Sequence, residues 1–411
     1  MELLENPVRP YSWGSRTVLA ELLGEEVPSP HPQAELWFGA HPGDSSYLVH
    51  ADGTRTSLLG AVAADPEGHL GPQRAATWDA RLPFLLKVLA AEEPLSLQAH
   101  PSAEQAAEGF AREDAAAIAI DAPERNYRDP NHKPELVCAL TEFHALVGFR
   151  DPAATVELLR GLDVPALAAH AELLAAQPDA DGLRALFTTW ITLPQSMLDT
   201  LVPALQEGCV RLAGSTDTFS AVARTVLELS ERYPGDAGVL AALLLHRITL
   251  SPGEALFLPA GNLHTYLSGA AVELMANSDN VLRGGLTPKH VDVPELLRVL
   301  DFAAPAPAVL DGRPDPDGAG WLRYDTPARE FLLRRYEGGP EAGEVALPGD
   351  GPRILVCTGG AASVRSGAAE LEIKRGASLW LGAGDAGVTI VPRAEGTQLY
   401  LAGDGLAADS R

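Results

Sequence analysis

The sequence predicts a mainly β protein in which a barrel-forming unit occurs twice and an α-helical domain interrupts the first copy. Three observations lead there. Short apolar runs broken by Pro, Gly and Asp dominate both ends of the chain. An Ala/Leu-rich stretch with helical spacing lies between them. A glycine–strand–turn pattern, Gly253 to His264, recurs without gaps at Gly376 to Gly387.

From Met1 to about Arg150 the strand candidates are Glu35-Leu-Trp-Phe-Gly, Ser46-Ser-Tyr-Leu-Val, Phe84-Leu-Leu-Lys-Val-Leu and Leu136-Val-Cys-Ala-Leu. One helix is expected among them, after Pro101, with Ser102 as N-cap and Gln105 at the third helical position. Residues 151–247 read as helices in Val156-Glu-Leu-Leu, Leu198 to Leu212 and Phe219 to Leu229, with Pro165, Pro178 and Pro234 as punctuation. Residues 248–302 return to strands and complete the first unit with residues 1–150. A short helix at Pro294 to Leu300 and an Ala/Pro linker from Ala303 lead into a second β unit, residues 303–411. Its strands are Arg353-Ile-Leu-Val-Cys-Thr, Ser378-Leu-Trp-Leu, Val388-Thr-Ile-Val and Gln398-Leu-Tyr-Leu.

A length of 411 residues exceeds one ordinary core, and 46% hydrophobic with 21% charged residues marks a globular chain. The balance of 31 basic against 55 acidic residues argues against nucleic acid or anionic membrane as partners. An anionic ligand therefore needs a local basic pocket. Cys138, Cys209 and Cys357 are far apart, which suits reduced thiols in a cytosolic protein. Met1 to Pro7 shows no signal-peptide pattern, and apolar runs fall well short of the about 18 residues a membrane helix needs. The expectation is a cytoplasmic protein, monomeric or weakly self-associating, acting on a small molecule.

Three remote segments carry candidate metal ligands. Gln98 and His100 are two apart and share a face if extended; Lys133 and Glu135 have the same relation; His264 follows the Pro259-Ala260-Gly261 turn. Two imidazoles, a carboxylate and an amide oxygen suit a divalent ion such as zinc and leave room for water or substrate. The spacing G-x5-P-x-G-x2-H at Gly253 to His264 is similar to the second signature of cupins, jelly-roll (double-stranded β-helix) barrels that hold a metal. Ser268 departs from the usual Asn of that signature, and in the second copy Gly387 replaces His264, so the second barrel lacks metal ligands.

Over its whole length the chain resembles the type I mannose-6-phosphate isomerases. The blocks are Pro10-Tyr-Ser-Trp-Gly-Ser, Ala34-Glu-Leu-Trp-Phe-Gly-Ala-His-Pro, Pro94-Leu-Ser-Leu-Gln-Ala-His-Pro-Ser and Tyr127-Arg-Asp-Pro-Asn-His-Lys-Pro-Glu-Leu. Ala145-Leu-Val-Gly-Phe-Arg and the run from Glu273 to Lys289 complete them. The resemblance implies one zinc ion held by Gln98, His100, Glu135 and His264, and interconversion of mannose 6-phosphate and fructose 6-phosphate.

That chemistry has its own demands. A proton must move between C1 and C2 through an enediol-type state, and a cation near O1 and O2 stabilises the charge that develops. Lys133 is the leading acid/base candidate, with His132 assisting ring opening. Asp279 orients one of these or shuttles a proton, with a structural cap as the equal alternative. Arg283 suits anionic substrate oxygens and Lys289 phosphate attraction; the run Arg283 to His290 contains no acidic residue. Glu273 and Tyr266 are candidates for sugar hydroxyls or for orienting ligands, and Ser96 for phosphate. Glu35, Trp13 and Lys87 fit packing as well as function. A metal-dependent oxygenase or a non-catalytic sugar-phosphate-binding cupin would share much of this pattern.

Overall fold

The computed structural model of the chain describes residues 1–303 and 305–406. Ala304 of the expected linker and residues 407–411 of the expected C-terminal unit lie outside the described residues. The fold is mixed helix and sheet, with antiparallel strand pairing. An eleven-stranded sheet carries the three candidate ligand segments, and a nine-stranded sheet packs against it through a core containing Leu36, Leu86, Val88, Leu136, Leu274, Ile354, Trp380 and Tyr400.

Chain halves and sheets do not coincide. Residues Glu2–Glu5 form a strand between Ser378–Leu381 and Tyr47–Val49 in the nine-stranded sheet. Conversely, Val309–Leu310 pairs with Ala255–Leu258 at the edge of the eleven-stranded sheet. Each sheet thus takes strands from both ends of the sequence.

The strand Phe84–Ala91 shows why its sequence reads as a continuous apolar run. Leu86, Val88 and Ala90 point into the core between the sheets, while Leu89 and Ala91 line the core on the opposite face. Both faces are covered, so alternation disappears. Lys87, on the same face as Leu89, is the one charge in the run and is 6% exposed.

The helical region runs from Pro152–Gly161 to Gly238–Ala242 and forms a layer behind the ligand-bearing strands. Leu97, Ala99, Leu146, Leu263 and Leu282 share one core with Leu186, Phe187, Trp190, Leu205 and Leu229 of the helices. These five residues, in the strands or directly before them, alternate with Gln98, Val147, His264 and Arg283, so the helices buttress the back of the same segments whose fronts carry the candidate ligands. Pro165 opens the helix Pro165–Ala176, a position where its missing N–H costs nothing, whereas Pro203 sits inside Gln195–Ala213.

The expected helix after Ser102 spans Ala103–Ala115. Its capping box is complete: Ser102 Oγ accepts from Gln105 N at 3.2 Å and Gln105 Oε1 from Ser102 N at 2.9 Å. It is not the only helix before residue 150. Val18–Leu23, Leu58–Ala64, Pro66–Leu70 and Pro72–Thr77 are helical too, correcting the expectation of a single helix there. Each has seven residues or fewer, too short for periodicity to show. Local chemistry marks two of their starts: Ser57 and Asp65 accept from Gly60 N and Gly68 N.

The long strand His264–Ala276 spans the sheet by changing partners. Near His264 it pairs with Phe143–Phe149, and from Gly269 onward with Phe84–Ala91 and Glu135–Ala139. Gly269 sits at the crossover with φ +111, where a Cβ would lie 2.4 Å from Glu142 O. Gly269→Ala is expected to destabilise the protein by about 3 kcal/mol. Urea unfolding checks this, and a loss well under about 1 kcal/mol would show that the crossover relaxes.

Candidate metal centre

Antiparallel register assembles the centre. Gln98 lies directly opposite His264 on one side and opposite Arg283 on the other. Directly paired residues project to the same face with Cβ atoms about 5 Å apart, so Gln98, His264 and Arg283 form one row. His264 enters this row after a turn in which Gly261 adopts φ +78. Glu135 opens the strand Glu135–Ala139, and His100 follows the two-residue strand Gln98–Ala99.

The side chains converge on one carboxylate. Glu135 Oε1 is 3.3 Å from His100 Nε2, and Oε2 is 3.3 Å from His264 Nε2. Candidate ligand atoms of these three buried residues all lie within 4.8 Å of one another. Each imidazole is fixed from behind. His100 Nδ1 donates to Asn280 O at 2.8 Å and His264 Nδ1 to Asn262 O at 3.0 Å. These bonds leave the Nε2 lone pairs facing the carboxylate oxygens, an arrangement of acceptors against acceptors. His100 Nε2 is buried without a satisfying hydrogen bond. A divalent cation resolves that conflict, and an N2O carboxylate set with an amide oxygen at hand suits zinc.

Burial pushes the His100 imidazole down to about 4, with Glu135 opposing and Lys133 adding to the effect. Burial alone would raise Glu135, yet the neighbouring Lys133 ammonium, first among the opposing causes, holds its carboxyl well below the usual carboxylate range. The centre is therefore poised as neutral imidazole beside carboxylate, the forms a metal requires.

Lys133 is 8% exposed, and its Nζ is 3.0 Å from Glu135 Oε1. It lies before the strand rather than in it, but still reaches the face that Glu135 occupies. His132 turns elsewhere: its Nε2 is 2.7 Å from Glu330 Oε1. His132 and Glu330, but not Lys133, line a cavity of about 390 Å³ with His41, Arg128 and Asp279, and none of the candidate ligands lines it. Asp279 is exposed, and its Oδ1 is 3.5 Å from His41 Nε2. His41 accepts from Gly43 N at Nδ1, so its neutral form carries the proton on Nε2, towards Asp279. Burial lowers this imidazole below the ordinary histidine range, and Lys87 and Lys133 add to that against Asp279.

Tyr266 and Glu273 belong to a buried network beside the centre. The Tyr266 hydroxyl donates to Glu273 Oε1 at 2.8 Å, and Glu273 Oε2 is 2.9 Å from Lys87 Nζ. Lys87 is also 3.5 Å from Glu35, which accepts from Trp37 Nε1. Burial alone would lower the Lys87 amine; Glu273, Glu35 and Glu135 outweigh it and hold the amine charged.

On the other flank stand three cations. Burial and nearby Arg128 lower the Arg283 guanidinium, and burial with Arg283 and Arg128 lowers the Lys289 amine. Three cations that act on one another are thus gathered in a chain of net charge −24. Ser96 is half-buried two residues before Gln98. Sequence reasoning passed over Arg128, His41 and Asn280, although each lies inside a block that carried the family resemblance; nothing in local spacing singles them out.

Residues 1–152 match the family described as phosphomannose isomerase type I, catalytic domain. The mannose-6-phosphate isomerase of Escherichia coli K12 is 40% identical over 392 residues, covering 95% of this chain and 97% of that one. The chain belongs to the type I phosphomannose isomerase family. The human mannose-6-phosphate isomerase is 33% identical over 408 residues, covering 92% of each chain. A variant of phosphomannose isomerase from Salmonella typhimurium superposes with a TM-score of 0.89 at 36% identity, over 99% of this chain and 100% of that one. A zinc-bound mannose 6-phosphate isomerase gives 0.87 at 36% identity, over 98% and 99%. Among the described residues no helix is long and apolar enough to cross a membrane.

The depressed His100 gives a pH prediction for the metal-free isomerase fold. Between about 6.5 and about 4 the unfolded chain takes up a proton at this position and the folded chain does not. Stability contributed by neutral His100 is therefore present above that window and lost as pH falls through it. Urea unfolding of chelator-treated protein at pH 7, 6 and 5 should show the decline, and His100→Gln should flatten it. An unchanged slope in the variant would assign the decline to other groups.

Proposed function

We propose that the chain is a zinc-dependent aldose–ketose isomerase interconverting D-mannose 6-phosphate and D-fructose 6-phosphate. One observation carries the reading: the Lys133 amine and the candidate ligand imidazoles share a single carboxylate, Glu135. The seat for a cation and a group able to move a proton are thus adjacent. The family membership and the zinc-bound relative support the same choice of metal and substrate.

Gln98, His100, Glu135 and His264 hold the zinc, which when bound supplies positive charge beside O1 and O2 of the open-chain sugar. Lys133 removes the proton from one of C1 and C2 and returns it to the other through an enediol-type intermediate. Its pairing with Glu135 keeps the amine on the centre's side of the loop. Lys87, opposite Glu273 on the neighbouring strand, is engaged by Glu273 and Glu35 rather than by Glu135. Asp279, with His41 and His132 around the adjoining cavity, moves the proton that opens the ring. Arg283 stands one position beyond Gln98 in the row and stabilises negative charge on the reacting oxygens. Arg128 and Lys289 complete the seat for the phosphate, with Ser96 at its edge. Tyr266 and Glu273 set the floor on which the sugar hydroxyls rest. The chain is organised as a metal-holding cupin unit of residues 1–150 and 248–302, a helical insert of residues 151–247 and a second, ligand-free unit from residue 303. The alternation of Leu97, Ala99 and Leu282 against Gln98 and Arg283 supports this division of labour.

His264→Ala should strip zinc and activity together. Lys133→Ala should retain zinc and lower turnover by orders of magnitude, as expected for a group acting at the reacting carbons. Metal analysis with a coupled assay for fructose 6-phosphate checks both, and full turnover by the lysine variant would remove it as the base. Arg283→Ala should lower kcat/KM by about 100-fold while leaving the unfolding midpoint near the parental value; a parental kcat/KM would place the guanidinium outside the reaction.

A further inference from the structure

Residues 125–134, which carry Arg128 and Lys133 and lead into Glu135, form no regular secondary structure. Their backbone polar groups need partners from elsewhere, and one fully buried side chain supplies four. Asn280 Oδ1 accepts from Arg128 N at 2.7 Å and Asp129 N at 3.3 Å. Its Nδ2 donates to Asp129 O at 2.7 Å and to Asn131 O at 2.8 Å. Reversing the amide would set donors against donors, so the network fixes its orientation. The main-chain carbonyl of the same residue accepts from His100 Nδ1 at 2.8 Å. The loop answers in kind: Asp129 Oδ2 accepts from Asp279 N at 2.8 Å and from Ser278 Oγ at 3.2 Å.

We infer that Asn280 is a positioning residue that seats the loop of Arg128 and Lys133 against the metal centre. Its side chain fixes the loop, and its carbonyl fixes the ligand His100. The two halves of the site, phosphate seat and metal seat, are thereby held in one spatial relation by one residue. The inference rests on the isomerase reading for its substrate. It separates from that reading because the carbonyl survives any side-chain substitution, so loop and metal respond differently.

In zinc-loaded Asn280→Ala, one zinc per chain should remain while kcat/KM for mannose 6-phosphate falls roughly 10–100-fold. KM should carry much of the fall, as Arg128 leaves the cationic cluster. Calorimetric binding of inorganic phosphate should weaken several-fold and in the same direction. Arg128→Ala should weaken phosphate to a similar degree, and the double variant should lose little more than either single one. Asn280→Asp keeps the Oδ1 contacts and turns an acceptor on two carbonyls, so it serves the same test if the alanine variant does not fold. Parental kcat/KM and phosphate affinity in a variant that is merely less stable would overturn the inference, as would fully additive losses. If the parent protein turns over no mannose 6-phosphate, the isomerase reading fails, while the phosphate measurement still decides the role of Asn280.

Discussion

A carboxylate removed from water must be paired, and in this protein Glu135 is the carboxylate around which three remote segments close. His100 and His264 reach it from separate segments and Lys133 from the loop just before it, and the buried Lys133 amine takes it as its ion-pair partner. The pairing is incomplete in one respect. Both imidazoles present lone pairs rather than protons, because main-chain carbonyls occupy their other nitrogens. The fold thus spends hydrogen bonds on orienting the ligands and leaves the space between them suited to positive charge.

The helical layer has a mechanical part in this. The row Gln98, His264, Arg283 belongs to strands only two residues long on two of its three members. Strands so short have little stability of their own. Leu97, Ala99, Leu263 and Leu282 tie them to a core dominated by the helices between Pro152 and Ala242. The helical region is therefore part of what holds this backbone still, whatever else it contributes.

How far the sequence revealed this depends on what each feature left in local pattern. Strands with a turn after them, such as Ala255–Leu258 and Ser378–Leu381, and the capped helix at Ser102 were legible because propensity and punctuation agree there. The helices of Leu58 to Thr77 were not, since a single turn or two gives no periodicity and their caps resemble ordinary turn residues. His100, Glu135 and His264 could be found from residue type and spacing. Arg128 and His41 could not, because an arginine in a loop and a histidine at the end of a two-residue strand carry no spacing signal; only tertiary pairing gives them surroundings. For Lys87 the sequence left packing and function equally open, and its place opposite Glu273 gives the buried amine a partner.

The placement of residues 2–5 between strands from opposite ends of the chain bears on how the molecule is made. On the ribosome these residues emerge long before their neighbour at Ser378–Leu381 is synthesised. The nine-stranded sheet cannot close around them until that later strand has been made. Residues 2–5 must therefore wait, unpaired on one edge, while the whole stretch between the two strands is translated.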